Sequence, residues 1–263
     1  MKREEITFSF GENWKNYLER ADEQNLKLAT KQLCEWLTIE RIKDANILDL
    51  GSGSGIHSLA FYNLGASYIT SVDYDENSVE ATRKLWRKVG SPSNWNVLHG
   101  SVLDKSFLES LGKFDIVYSW GVLHHTGSMW EAIQNCIGNV KENRFFLISI
   151  YVKGNNYERD LNRKKRYNKS GKIVKKIMEF WYYILPLMTW RVRWGLNPFK
   201  WNRLSERGMF VYNDIVDWLG GLPYEVATTN EIVSFFHSHK FELIRVKEYQ
   251  EGYCNEYLFQ KKD

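Results

Sequence analysis

Cysteine and proline are scarce in this chain. Its 263 residues include three cysteines and four prolines, and Cys34, Cys136 and Cys254 are far apart with no CxxC pair. This spacing argues against a disulfide framework and against a zinc site, and it fits a reducing, cytoplasmic setting. The histidines show no metal-ligand spacing either, so we expect no bound metal.

Long apolar runs are also absent. No stretch reaches the length of about 18 apolar residues that a membrane span needs. The first five residues mix charges and lead into no apolar run, so we expect no signal peptide. The net charge of +4 is too small to make nucleic acid the default partner. The length suits one large α/β domain with an insertion.

Short apolar strands alternate with helical segments over most of the chain. We predict strands at 47–50, 68–72, 95–98, 114–118, 144–151, 241–246 and 255–260, and helices at 56–64, 76–88 and 129–140. This alternation predicts an α/β Rossmann-like fold, a mostly parallel sheet with helices on both faces. We expect residues 45–151 and 226–263 to form that domain, 1–44 to be a helical N-terminal segment, and 152–225 to be a partly helical cap.

The most informative motif is the loop Asp49-Leu50-Gly51-Ser52-Gly53-Ser54-Gly55, between a buried strand and a helix. Glycines let a backbone adopt positive φ and let a ligand approach closely. A Walker loop would end in Gly-Lys-Ser/Thr, and a dinucleotide fingerprint would place its third glycine one residue later. Asp49 would also repel a diphosphate, whereas it would attract the cationic methionine end of S-adenosylmethionine (SAM).

A second acidic residue follows the next predicted strand. Asp73 lies about 20 residues beyond the glycine loop, where a carboxylate can accept hydrogen bonds from both ribose hydroxyls. An N-cap for the following helix is the structural alternative, since Glu76 lies three residues later. Both roles are compatible with each other.

Together these motifs resemble class I SAM-dependent methyltransferases, especially the small-molecule branch related to the ubiquinone-biosynthesis type. The resemblance covers residues 45–150 and, more weakly, 228–260, and it implies a seven-stranded sheet with an antiparallel last strand. It implies that Gly51, Gly53 and Gly55 approach the methionine part and that Asp73 holds the ribose. Ser101 and Val102 would then flank the adenine. We also place Asp49, Ser52, Tyr74 and Trp120 at the cofactor.

Candidates for the chemistry follow the fourth predicted strand. A histidine suits proton removal from an oxygen acceptor. The resemblance implies that His125 borders the cofactor or the substrate, so we favour it as the base, with His124 as the alternate. Either ring could instead have a packing role. Phe10 and Trp14 lie in the N-terminal segment, and the resemblance implies that this segment folds over the cofactor, which makes Trp14 a candidate lid residue; ordinary packing is the alternative.

The cap suggests a polar substrate. Aromatic and polar side chains interleave there, and such a mixture suits a sugar or a polar ring. The candidate substrate-binding residues are Tyr212, Asp214, Asp217, Trp218 and Tyr224. The alternative for this stretch is a helix with a solvated acidic face.

A basic run precedes an aromatic run within residues 159–185. This pattern is typical of peripheral membrane contact, although it also suits RNA phosphates or a solvated basic face. The favoured function is methyl transfer from SAM to an oxygen of a small molecule, sugar or lipid-linked glycan. The alternatives are a tRNA or rRNA methyltransferase and a SAM-binding protein that transfers no methyl group.

Overall fold

A seven-stranded sheet organises the protein, whose computed structural model describes residues 8, 10–13, 23–202 and 210–263. The strands are β1 Asn46–Leu50, β2 Tyr68–Asp73, β3 Trp95–His99, β4 Phe114–Trp120, β5 Val140–Tyr151, β6 Phe241–Lys247 and β7 Cys254–Lys261. Their order is β3-β2-β1-β4-β5-β7-β6, and β7 runs antiparallel to both of its neighbours. The pairs among β1 to β5 are parallel. The Rossmann-like class and the antiparallel last strand are therefore confirmed.

Helices cover both faces of the sheet. They are α1 Glu23–Ile42, α2 Ile56–Asn63, α3 Glu76–Lys88, α4 Lys105–Leu111, α5 Met129–Ile137, α6 Tyr157–Lys169, α7 Lys172–Glu179, α8 Leu185–Arg193, α9 Val211–Gly220 and α10 Thr229–Ser238. One apolar core joins the sheet to α4, α5 and α10, and a second joins it to α1, α2 and α3. A capping box between Thr228 and Glu231 starts α10.

One predicted boundary is wrong. The helix expected over 129–140 ends at Ile137, and the strand expected from 144 begins at Val140. The Asn139 side chain donates hydrogen bonds to the Leu108 and Gly112 carbonyls, which fixes the chain between helix and strand. After the buried Val140, residues 141–144 of β5 are polar and mostly exposed, so no apolar alternation marks them as a strand.

Helices α6 to α9 occupy the segment that we predict to be a cap. A π-helical turn over Phe180–Ile184 joins α7 to α8. These helices share a small core of their own around Tyr167, Met178, Ile215 and Leu219. In the described ranges, no helix is long and apolar enough to cross a bilayer.

Candidate active site

A cavity of about 1370 Å³ opens where the parallel strands end. Residues at or just after the ends of β1, β2, β3 and β4 line one half of it, and residues of α6, α8 and α9 line the other half. Ligands of doubly wound folds bind at this edge of the sheet. Pockets for one drug-sized ligand measure roughly 300–1,000 Å³, so this cavity has room for two molecules side by side.

The glycine loop after β1 adopts a left-handed backbone at each glycine. The φ angles of Gly51, Gly53 and Gly55 are 79°, 55° and 77°. A Cβ atom on Gly51 would lie 2.3 Å from a methyl carbon of Val122, so no other residue fits there. Gly53 lines the cavity, but Gly55 does not; its Cα faces Thr82 on α3. The predicted contact of Gly55 with a ligand is therefore replaced by close helix packing.

The amides of this loop already have partners within the protein. Gly51 and Ser52 donate to the Val72 carbonyl at 2.8 and 3.1 Å, and Gly55 donates to the Ser52 carbonyl at 2.8 Å. Gly53 donates to a carboxylate oxygen of Asp73 at 2.8 Å. A phosphate site needs several free amides that point at the anion. With these four amides engaged, the loop does not suit a diphosphate.

Two carboxyl groups give the same half of the cavity an acidic character. Asp49 is 1% exposed and accepts a hydrogen bond from the Ser58 hydroxyl at 2.5 Å. Burial raises its pKa to about 7 despite that bond, and the nearby Asp73 carboxylate contributes. Burial also raises the pKa of Asp73 to about 6, against the effect of the Gly53 and Asp75 amides. A bound cation would relieve this unfavourable burial of negative charge.

Asp73 holds the loop and does not cap the following helix. Its carboxylate accepts from the amides of Gly53 and Asp75, which ties the end of β2 to the glycine loop. The N-cap of α3 is Asp75, whose carboxylate accepts from the Asn77 amide at 2.8 Å. The N-cap alternative for Asp73 is therefore wrong.

Most of the other predicted cofactor residues lie in the same half. Ser52, Tyr74, Ser101, Val102 and Trp120 all line the cavity. The exposed Tyr74 ring lies parallel to that of His99, with 6.1 Å between their centroids. The remaining predicted cofactor residue, Trp14, lies outside the described residues.

The two histidines follow β4 in a short 3-10 helix, Leu123–His125, and both line the cavity. His125 Nδ1 lies 2.6 Å from the Pro223 carbonyl oxygen, so this nitrogen is the donor and Nε2 is left as an acceptor. Burial, together with the charge of Lys164, lowers the pKa of His125 to about 3. Burial also lowers the pKa of His124 well below its usual value.

A short N-terminal segment lies across the junction of the two halves. The Phe10 ring lies 4.8 Å from the ring of His125, and Phe10 lines the cavity. The Gly11 amide donates to Asp75 at 3.1 Å, and the Asn13 side chain donates to Asp217 at 2.6 Å. Residues 10–13 thus connect the start of α3 to α9.

The predicted substrate residues separate into two groups. Asp214, Asp217 and Trp218 line the cavity, whereas Tyr212 and Tyr224 do not. The Tyr212 hydroxyl donates to Glu179 at 2.6 Å inside the cap. Tyr224 is buried and stacks on Tyr157 with 5.6 Å between ring centroids. Both tyrosines therefore belong to the packing of the cap, which corrects the prediction.

Sequence reasoning missed several residues that line the substrate half. They are Asp160, Arg163, Tyr183, Glu251 and Tyr253. Arg163 lies 3.6 Å from Asp160, one turn earlier on α6. The i, i+3 spacing of Asp160 and Arg163 places them next to each other on one helix face, which could have identified the pair. The pair was overlooked because it lies within a run of basic residues. Glu256 on β7 also lines the cavity and accepts from Trp36 and Tyr249 at 3.1 Å each.

Comparison with known proteins agrees with this geometry. Residues 47–143 match a family model described as a methyltransferase domain. The ribosomal protein L11 methyltransferase of Legionella pneumophila (strain Philadelphia 1) is 39% identical over 84 residues, which are 32% of this chain and 27% of that protein. The match thus spans about a quarter of that relative's length.

Solved structures resemble the whole chain in fold. Magnesium protoporphyrin IX methyltransferase from Synechocystis PCC 6803, with bound SAH, superimposes with a TM-score of 0.58 at 13% sequence identity. The superposition covers 95% of this chain and 94% of that protein's chain. The 1,6-didemethyltoxoflavin-N1-methyltransferase of Burkholderia thailandensis gives a TM-score of 0.52 at 15% identity, and the superposition covers 92% of this chain and 80% of that one. Residues 47–143 thus match a methyltransferase domain, and the solved structures share the fold that surrounds it.

Proposed function

We propose that this protein transfers a methyl group from SAM to an oxygen atom of a small polar molecule bound beneath helices α6 to α9. One observation carries the proposal: a single cavity is lined both by Asp49 and Asp73 and by the polar side chains of the cap, and His125 is part of the same lining. Proteins of similar fold that are named for small-molecule substrates, such as magnesium protoporphyrin IX methyltransferase, support a small-molecule substrate.

The acidic half fits the chemistry of SAM. Asp49 would face the cationic methionine end, where its negative charge is stabilised. Each carboxylate oxygen of Asp73 accepts one amide hydrogen and keeps capacity for a ribose hydroxyl. Ser101 and Val102 would flank the adenine. When bound, SAM supplies a methyl group that its sulfonium already activates for displacement.

His125 would orient the acceptor. Its Nε2 can accept a hydrogen bond from a substrate hydroxyl, because Nδ1 is held by the Pro223 carbonyl. A histidine with a pKa of about 3 is neutral at pH 7, so it positions the hydroxyl without being protonated beforehand. So weak a base favours an acidic hydroxyl, such as a phenol or enol, over the hydroxyl of a sugar.

The polar chamber would bind the rest of the substrate. Asp214 and Asp217 contribute carboxylates, and Trp218 offers a flat ring between them and α6. Arg163 adds a cation on the opposite helix. This combination suits a polar aromatic molecule that stacks on a ring and forms hydrogen bonds at its edge.

The experiment has two steps. Calorimetric titration should show that SAM binds and NAD does not. The protein is then incubated with methyl-labelled SAM and separate small-molecule, ribosomal and RNA fractions of a cell extract. The label should enter a small molecule and be released by a reagent that cleaves methyl ethers. Label in the ribosomal or RNA fraction, or tight SAM binding with label in none, would contradict the proposal.

A variant separates catalysis from binding. His125→Ala should lower kcat by about 100-fold, within the usual range for loss of a positioned acid or base, and leave SAM affinity within about twofold. Asp104→Asn is the matched control, because Asp104 caps α4 and does not line the cavity. An unchanged kcat for His125→Ala would remove this residue from the chemistry.

A further inference from the structure

Helices α7 and α8 present an exposed aromatic face. Eleven of the sixteen exposed large hydrophobic side chains among the described residues lie between 173 and 199. Ile173, Trp181, Trp194 and Phe199 are each more than 60% exposed. So many exposed apolar side chains in one short segment mark a candidate site of contact with a partner or a membrane. We call residues 172–200 the interfacial segment.

The same segment and the C-terminal half of α6, which precedes it, are strongly basic. Residues 163–200 contain eleven lysines and arginines and a single acidic residue, Glu179. Glu179 is buried and pairs with Lys176 at 3.0 Å. Lys172, Arg193 and Lys200 are exposed beside the aromatic side chains. Positive charge mixed with tryptophan and other apolar side chains is characteristic of elements that lie in the interface of an anionic membrane.

The inner side of these helices is already occupied. The side chains that pack against the cap core are Tyr183, Ile184 and Leu187. The segment is therefore anchored through its inner side, and its outer side chains are not part of that packing. Tyr183 and Leu187 also line the cavity. The segment is thus attached to the wall of the substrate chamber, while its outer aromatic side chains are exposed among the described residues.

We propose that the interfacial segment docks this protein onto an anionic phospholipid surface, with Trp181, Trp194 and Phe199 inserted among the headgroups. The charge disfavours a symmetric dimer through this face, since a two-fold contact would bring two copies of the same basic surface together. The segment is too short and too basic to span the bilayer, so contact is peripheral. This inference goes beyond the proposed function and does not depend on it.

The test is co-sedimentation of the full chain with two kinds of vesicle, one of phosphatidylcholine alone and one in which about a third of the lipid is phosphatidylglycerol. The protein should sediment with the anionic vesicles and stay in solution with the neutral ones. Raising the salt concentration should weaken binding, because the electrostatic part is screened.

Two variants test the two parts of the face separately. Trp181→Ala/Trp194→Ala/Phe199→Ala removes the aromatic part, and Lys172→Glu/Arg193→Glu/Lys200→Glu reverses the charge. Each should weaken vesicle binding at least tenfold. All six side chains are exposed and none lines the cavity, so melting temperature and SAM affinity should be unchanged. The control, Ile39→Ala/Lys88→Glu, changes one exposed apolar and one exposed basic residue on α1 and α3.

Each of the following results would overturn the inference. One is that the protein sediments equally with neutral and anionic vesicles, or with neither kind. Another is vesicle binding that both interfacial variants leave intact. The third is self-association of the lipid-free protein, seen by sedimentation velocity and abolished by the aromatic variant, which would make the face an interface between copies. Tight RNA binding that the charge variant abolishes, without vesicle binding, would assign the face to nucleic acid instead.

Discussion

Replacing Asp49 with asparagine should stabilise the ligand-free protein at alkaline pH while weakening SAM binding. Burial raises the pKa of this carboxyl from 3.8 to about 7, against the Ser58 hydrogen bond and with a contribution from Asp73. The folded protein therefore binds this proton more tightly than the unfolded chain does. The contribution of Asp49 to stability is greatest below pH 3.8 and is lost as the pH rises to 7.

The magnitude follows from the two pKa values. A difference of about 3 corresponds to about 4 kcal/mol in the free energy of unfolding. At pH 5 the carboxyl is already ionised in the unfolded chain, so part of this free energy has been lost there. Between pH 5 and pH 8, ionisation of Asp49 alone should therefore lower the free energy of unfolding by about 3 kcal/mol. Asparagine has the same shape, cannot ionise and can still accept from Ser58. The advantage of Asp49→Asn in Tm should therefore grow by roughly 5–10 °C over this range.

Thermal unfolding at pH 5 and pH 8 without ligand measures this effect, and Asp115→Asn is the control. Burial alone would raise the pKa of Asp115, but hydrogen bonds from the Asn46 amide and Lys141, and the charges of Lys141 and Arg144, lower it instead. The same substitution there should destabilise the protein at pH 8. Asp49→Asn should also lose at least tenfold in SAM affinity. If its Tm advantage were equal at both pH values, the reasoning about buried charge would be refuted.

The remaining predictions concern ligand binding and the histidine. Asp73→Ala should lose SAM affinity by at least tenfold in calorimetry, and retained affinity would exclude the ribose contact. In the wild type, SAM affinity should rise between pH 5 and pH 8, because the Asp49 and Asp73 carboxyls, with pKa values of about 7 and 6, must be ionised to attract the cation. Phe10→Ala should weaken SAM binding if residues 10–13 cover the site, and an unchanged dissociation rate in stopped flow would show that they do not. Over the same pH range, kcat at saturating SAM should show no inflection from His125, whose pKa is about 3. Lys164→Met should raise the pKa of His125, because the lysine charge adds to the effect of burial. NMR of the His125 ring protons measures this change.

The cofactor half of the site could be predicted from sequence because its residues are local to strand ends. Asp49 and Asp73 end β1 and β2, and parallel strands bring such ends to one edge of the sheet. The glycine loop is continuous in sequence, so its spacing and charge were visible at once. Gly55 shows the limit of this reasoning, because only the packing of α2 against α3 reveals that Thr82 lies against it.

The substrate half of the site could be predicted only in part. Which side chains of a cap helix face the cavity, and which face the cap core, depends on how that helix is oriented about its own axis. Asp214, Asp217 and Trp218 are spaced as neighbours on one helix face, whereas Tyr212 is two residues from Asp214 and therefore points elsewhere. This periodicity was present in the sequence and could have excluded Tyr212. No local pattern identifies Tyr224, whose position depends on contacts with Tyr151 and Tyr157 from other elements.

The charge distribution explains why composition alone hid both binding surfaces. The chain carries a net charge of only +4, yet residues 163–200 contain eleven basic residues and one acidic residue, so the rest of the chain is net negative. The acidic part includes the crevice that suits a cationic cofactor, and the basic part includes the face that suits an anionic lipid surface. Each charge repels the ligand of the other site. A mean value near neutrality therefore reflects two regions of opposite charge, which the sequence motifs indicate and the fold places in three dimensions.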